Sequence, residues 1–226
     1  MARIILFDID MTLIRSQGAG RAALNEAFRD AFGLESATEN VSFDGRTDRA
    51  ILGEIIAQHD LGPDVDEAYA RVSEAYLLTL SASLSERPGV VLPGVEALLP
   101  LLQQSHGAIG LATGNMRRGA ETKLSHYGLW HWFSGGGFGD NTPVRAELVA
   151  AAIRDMAAVL GLAPDPRDTV VIGDTPLDVE AARQAGARAL AVATGSHTIE
   201  ALRESGADWV LEDLSDTDAV MRLLAS

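Results

Sequence analysis

Four aspartates stand out by their type and spacing. Asp8 and Asp10 close the run Phe7-Asp8-Ile9-Asp10-Met11-Thr12. Asp174 and Asp178 follow another apolar run, in Val171-Ile172-Gly173-Asp174-Thr175-Pro176-Leu177-Asp178. If the first run is a strand, residues two apart point to the same face, so Asp8 and Asp10 project together. Their backbones then stand roughly 6.6 Å apart. At an effective dielectric of about 20, two like charges at that distance repel by about 2.5 kcal/mol, which is nearly two pKa units. A shared proton or a bound cation relieves the repulsion. A strand running into a solvated acidic loop would also produce this hexapeptide. If the second run lies parallel to the first, Asp174 is a third carboxylate on the same sheet edge, where open α/β sheets bind ligands. Hard oxygen donors of this kind suit magnesium. Asp178 has two readings. With Thr175 it makes a capping box and complements a helix dipole, either as that alone or with site duty added.

Two further segments suit an anion. The run Leu111-Ala112-Thr113-Gly114-Asn115 places a hydroxyl and then backbone amides at a strand-to-helix junction, an arrangement that can hold phosphate oxygens. Arg145 lies where the next helix starts, behind Thr142-Pro143. A cation in a helix's first turn opposes the dipole, which favours an anionic partner, a surface ion pair being the other reading.

Elements that position these residues are readable from periodicity. Short apolar runs at 3–9, 108–113, 133–138, 169–172 and 188–193 read as buried parallel strands, with a shorter one at 208–211. Helical spacing follows the second (Met116, Ala120, Leu124, Tyr127) and the third (Leu148, Val149, Ala152, Ile153, Met156, Leu160). Thr142-Pro143 and Thr175-Pro176 both read as a hydroxyl cap with proline at the first helical position. Alternating strands and helices predict a doubly wound parallel sheet, an α/β fold. The rhythm breaks at 16–88, where only helical patterns occur. Leu24, Ala27, Phe28, Ala31 and Phe32 form one stripe. Val65, Ala68, Tyr69, Val72 and Tyr76 form another behind an Asp64 cap, and 45–58 is a shorter third helix. The expected organisation is a core of residues 1–15 and 89–226 with an inserted helical domain at 16–88, hinged near 15–17 and 87–89. The glycine run Gly135-Gly136-Gly137-Phe138-Gly139 reads as an edge strand and turn, because no lysine-bearing phosphate loop follows it. Trp130, Trp132 and Phe133 are expected to pack that edge. The five histidines show no metal-ligand spacing.

The 226 residues include 18 basic and 32 acidic side chains, a net charge of −14, and no cysteine. Disulfides, thiolate metal sites and a cysteine nucleophile are excluded, and a reducing compartment fits. The acidic balance argues against nucleic acid or an anionic membrane surface as partner. No uncharged apolar run approaches the ~18 residues of a membrane span. A secretory signal is not expected, since two aspartates interrupt the first apolar stretch, so the cytoplasm is the expected location.

Taken together, these motifs resemble the haloacid dehalogenase (HAD) superfamily, in its phosphoglycolate phosphatase-like branch with a helical cap. Asp8-Ile9-Asp10-Met11-Thr12 is similar to the family's D-x-D-x-T, Thr113 to the hydroxyl of its second motif, and Gly173-Asp174-Thr175-Pro176-Leu177-Asp178 to its acidic fourth motif. The 16–88 insert sits where the family carries its cap. The resemblance implies a Rossmann-like core and a magnesium-dependent phosphatase acting on a small phosphorylated metabolite, phosphoglycolate-like or a sugar phosphate. It implies Asp8 as nucleophile, forming an aspartyl-phosphate, and Asp10 as acid and then base. Metal ligands would be Asp8, Asp10 through its backbone carbonyl, Asp174 and Asp178. Thr113, Gly114, Asn115 and Arg145 would hold the phosphoryl oxygens. The family's usual third-motif lysine is missing. Arg145 is the best-placed cation for it, with Lys123 the alternative, expected to lie too far along its helix. In the cap, Phe43-Asp44-Gly45-Arg46-Thr47-Asp48 is closer to the G-x-T-D of phosphoglycolate phosphatases than to the G-x-S-R of β-phosphoglucomutases. Arg46 would meet an anionic group on the substrate, while Thr47 and Asp48 cap a helix. Asp10 argues against dehalogenation, and a cap without lysine argues against phosphonatase chemistry. A phosphomutase and a non-catalytic binding protein are the rival readings. A monomer or a homodimer is expected.

Overall fold

Apolar, β-branched runs form the strands, and amphipathic stretches form the helices between them. The computed structural model describes residues 4–62, 64–106, 109–140, 142–163 and 165–225. In chain order the first half contains β1 (Ile4–Phe7), β2 (Ile14–Arg15), α1 (Ala19–Phe32), α2 (Asp48–Gln58), α3 (Val65–Glu86), β3 (Val90–Val91), α4 (Val95–His106) and β4 (Ile109–Thr113). The second half contains α5 (Arg117–His126), β5 (Phe133–Phe138), α6 (Arg145–Val159), β6 (Thr169–Gly173), α7 (Pro176–Gln184), β7 (Arg188–Val192), α8 (Ile199–Glu204), β8 (Trp209–Leu211) and α9 (Thr217–Ala225). The expected strand starts at Arg3 and Ala108 lie outside the described residues.

Six strands form one parallel sheet in the order β5-β4-β1-β6-β7-β8. Successive side chains of a strand face opposite sides, and β1 shows this directly. Ile5 and Phe7 join one apolar layer with Leu98, Leu102, Leu124 and Leu224, from α4, α5 and α9. Ile4 and Leu6 join the other with Leu148, Ile153, Val179 and Leu202, from α6, α7 and α8. Each large side chain fully buried this way favours folding by about 1.5–3 kcal/mol before entropy is counted. The sheet is thus covered on both faces, the doubly wound α/β arrangement expected of the sequence. Among the described residues, no helix is long and apolar enough to cross a membrane.

Between β2 and β3 the helices α1, α2 and α3 make a third apolar cluster, with Phe28, Ile55, Val72 and Leu80 fully buried. Met116, from the junction after β4, packs into it. Val65, expected in the α3 stripe, is instead exposed, because it is the first residue of the helix and the packed face begins a turn later at Ala68. Strands β2 and β3 pair antiparallel where the chain leaves and re-enters the core, and two-residue strands carry no readable period.

Helix α6 starts later than expected. Val144, not Thr142, is its N-cap. The residue before a proline is biased to extended backbone, so Thr142 sits in a turn, accepting from Val144 N at 3.0 Å and donating to Glu147 at 2.6 Å. In the glycine run, Gly136 has φ 146°, and a Cβ there would lie 2.2 Å from the Leu111 carbonyl oxygen. Close approach of β5 to β4 demands glycine, a structural cause for the run.

Candidate active site

Strand β1 lies between β4 and β6, in register Phe7 with Leu111 and Phe7 with Ile172. The carboxyl ends of three parallel neighbours are therefore level, at the crevice where the strand order reverses. Asp8 follows β1, Thr113 ends β4, and Asp174 follows β6. Asp8 N donates to the Ile172 carbonyl at 2.9 Å, continuing the ladder one residue past the strand. Beyond it the Ile9 carbonyl accepts from Thr12, Leu13 and Ile14 N–H groups, with Met11 in a left-handed conformation at φ 61°. This turn brings Asp10 over the same edge.

Asp8, Asp174 and Asp178 are buried, and one carboxylate oxygen from each lies within 4.8 Å of the others. Thr12 Oγ1 donates to Asp174 Oδ1 at 3.3 Å. Asp178 belongs to two local arrangements. It completes a capping box with Thr175, and it joins the cluster. Burial pushes the Asp174 carboxyl up to about 9, with the Asp178 and Asp8 charges adding to the rise. Burial likewise raises Asp8 to about 6, against the Arg145 guanidinium, which lowers it. Two glycines leave room for these acids. A Cβ at Gly195 would stand 1.9 Å from Asp174 Oδ2, and one at Gly173 2.4 Å from the Asp178 carboxyl carbon. Three buried carboxylates with a single arginine between them leave an excess of negative charge. Their hard oxygens fit a divalent cation of magnesium's type.

Arg145 heads α6 with its side chain pointed at this cluster. Its Nη2 lies 3.1 Å from Asp8 Oδ1, its Nε donates to Asp178 Oδ1 at 2.9 Å, and its Nη1 donates to the Gly45 carbonyl at 3.0 Å. The structure also brings Lys123 into the site, contrary to the expectation that it lies too far along α5. Helical side chains lean toward the N-terminus, and the long lysine stem covers the remaining distance. Its Nζ reaches both Asp10 Oδ2 and Asn115 Oδ1 at 2.6 Å. Burial would raise Asp10, but the Lys123 charge and hydrogen bonds from Lys123 and Asn115 bring it below its ordinary value. The two cations thus divide the acids, Arg145 on the side of Asp8 and Asp178, Lys123 on the side of Asp10.

Thr113 is fully buried, and its hydroxyl accepts from the Asn115 backbone at 3.3 Å and side chain at 2.9 Å. The Asn115 Nδ2 also donates to Asp10 Oδ2 at 2.8 Å. Gly114 allows the insert to touch the core. Its carbonyl accepts from Asp48 N at 2.7 Å, and a Cβ there would meet the Arg46 carbonyl at 2.1 Å. Asp48 Oδ2 accepts from Met116 N at 2.8 Å, and burial pushes its carboxyl up to about 6. These bonds hold the start of α2 down on the sheet edge, beside a cavity of ≈ 430 Å³. Asp8, Asp10, Gly114, Asn115, Arg145 and Asp174 line its floor. Arg46 lines the other side, and Glu54 Oε2 lies 2.6 Å from its Nη1. Asp48 and Tyr76 also line the cavity. In sequence, Asp48 carried only the signal of a helix cap, and Tyr76 that of a core stripe.

A family model of haloacid dehalogenase-like hydrolases matches residues 5–183. Validoxylamine A 7'-phosphate phosphatase of Streptomyces hygroscopicus subsp. limoneus is 30% identical over 96% of this chain and 96% of that protein. Phosphoglycolate phosphatase 1 of Pseudomonas aeruginosa is 29% identical over 96% of this chain and 78% of that protein. Among solved structures, a hydrolase from Pseudomonas syringae superposes with a TM-score of 0.71 at 24% identity, covering 100% of both chains.

Proposed function

Since the chain belongs to the haloacid dehalogenase-like hydrolases, as a phosphoric monoester hydrolase of the phosphoglycolate phosphatase-like branch, we propose that it is a magnesium-dependent phosphatase working through an aspartyl-phosphate on Asp8. The observation that carries this reading is the convergence of Asp8, Asp174 and Asp178 beside a cavity that Asp10 also faces. The proposed substrate is a small phosphorylated metabolite, and residues 16–88 act as the cap over the site.

Asp8, the Asp10 backbone carbonyl, Asp174 and Asp178 would hold the magnesium. Bound there, the ion offsets the acids' charge and that of the incoming phosphate dianion. An Asp8 carboxylate oxygen attacks phosphorus, the bond to the leaving oxygen breaks, and that oxygen takes a proton from Asp10. Water, losing its proton to Asp10, then attacks the same phosphorus. The Asp8–phosphorus bond breaks, the carboxylate is restored and inorganic phosphate leaves. Lys123 keeps resting Asp10 ionised, the form the water step requires. A phosphate dianion arriving beside it raises its proton affinity by like-charge repulsion, the direction the leaving-group step requires. Thr113, the Gly114 and Asn115 backbone and Arg145 hold the equatorial oxygens, which carry charge in a loose transition state. The closed cap excludes water until the leaving group departs.

Phosphate release from p-nitrophenyl phosphate tests the reading. Release should require magnesium, stop with a chelator and be abolished in Asp8→Asn. Equal release from Asp8→Asn and wild type would refute it.

A further inference from the structure

The cavity's cap side has a chemical character that phosphoryl transfer alone does not explain. At ≈ 430 Å³ it is much larger than a phosphoryl group with two carbons requires. Leu24, Phe43, Ile51 and Leu52 give it an apolar wall. Beside that wall stand neutral hydrogen-bonding side chains, Ser16, Gln17 and Tyr76. The guanidinium that would receive a second anion is already taken. Arg46 Nη1 lies 2.6 Å from Glu54 Oε2, and its nitrogens also donate to the Ser42 and Ala50 carbonyls. Arg21 places Nη1 and Nη2 on the Thr38 and Val41 carbonyls. Lys123 is held by Asp10 and Asn115. Asp48, an acid of the cap bonded to the core, has one oxygen engaged by Met116 N, which leaves the other as an acceptor for a hydroxyl.

We propose that the leaving group is an uncharged, hydroxyl-rich alcohol of sugar or cyclitol size, and that the Arg46–Glu54 pair discriminates against leaving groups bearing a second anion. A polyol offers donors to Asp48, partners for the neutral side chains and C–H faces for the apolar wall. A carboxylate or second phosphate would face Asp48 and Asp10, with Arg46 neutralised by Glu54 and with Arg21 and Arg15 turned onto backbone carbonyls, and specificity of this kind comes from repulsion as much as from attraction.

The inference rests on the phosphatase reading, and two measurements separate them. With magnesium, wild type should show kcat/KM at least about ten-fold higher for glucose 6-phosphate than for 2-phosphoglycolate, the scale expected where polar groups lose their partners. Glu54→Gln, which frees Arg46, should narrow that ratio by about ten-fold. Calorimetric titration of Asp8→Asn with the same two compounds reads binding without turnover, and glucose 6-phosphate should bind more tightly. Preference for 2-phosphoglycolate in binding, no binding of either compound, or a ratio unmoved by Glu54→Gln would each overturn the proposal. Tighter binding of glucose 6-phosphate with no hydrolysis of any ester would uphold it and defeat the phosphatase reading instead.

Discussion

Replacing Arg145 with glutamine removes the cation shared by two buried acids. The side chains involved are 9% exposed for Arg145, 9% for Asp8 and 3% for Asp178. Breaking a buried ion pair by removing one partner costs about 3–5 kcal/mol, because the remaining charge is left uncompensated. Asp178 keeps its hydrogen bonds from Thr175 N and Oγ1 at 3.1 and 2.7 Å, which puts the cost near the lower end. At about 2–4 °C per kcal/mol for a chain of this size, the metal-free variant should melt roughly 6–12 °C below wild type. Magnesium supplies positive charge to the same acids, so it should raise the variant's Tm more than the wild type's. Loss of one preorganised donor to the transferring phosphoryl group should lower kcat by about 10²–10³-fold. Arg145→Lys keeps the charge but not the fork that spans Asp8 and Asp178, and should fall between the two. Differential scanning fluorimetry with chelator or magnesium, alongside p-nitrophenyl phosphate kinetics, measures both effects. Wild-type stability and activity in Arg145→Gln would refute the assignment of this arginine.

The metal-free protein should lose stability as pH rises. The folded-state pKa values of Asp8, Asp48 and Asp174 lie above the ordinary value of about 3.9, so folding binds protons, and the stability present below about pH 4 is lost through about 6 and then about 9. The Tm gained from magnesium should therefore grow from pH 5 to 9, and a constant gain would contradict the acid cluster as its site. Gly195→Ala should fold, because the carboxylate its methyl meets can turn away, but it should displace Asp174 and raise the magnesium concentration for half-maximal activity by about ten-fold or more. An unchanged magnesium requirement would count against Asp174 as a ligand. Fluoroberyllate with magnesium should slow hydrogen exchange at 44–49 and 113–117, where cap and core bond, and equal protection without it would argue against closure.

The strand-end aspartates were legible because a parallel sheet forces the ends of neighbouring strands to one edge, and β4-β1-β6 are neighbours. The helices between β2 and β3 were legible because strand periodicity stops at Ser16 and helical spacing replaces it. Its contacts with the core were not. Asp48 looks the same in sequence whether it only begins a helix or also binds Met116 N across 68 positions. Lys123 was misjudged because helical spacing reports the face of a residue but not how far a flexible stem reaches back. The Arg46–Glu54 pair escaped because it neutralises the very charge that made Arg46 conspicuous. Helix α4 was missed although Leu98, Leu99 and Leu102 carry its period, and Pro100 lies within it.

Chemical trapping examines the nucleophile itself. Wild type mixed with p-nitrophenyl phosphate and magnesium, quenched in acid during turnover and reduced with borohydride, should yield homoserine at position 8 by peptide mass mapping. Chelated enzyme and Asp8→Asn should yield none. Reduction at a different carboxylate, or rapid phosphate release with position 8 unmodified throughout, would contradict covalent catalysis by Asp8.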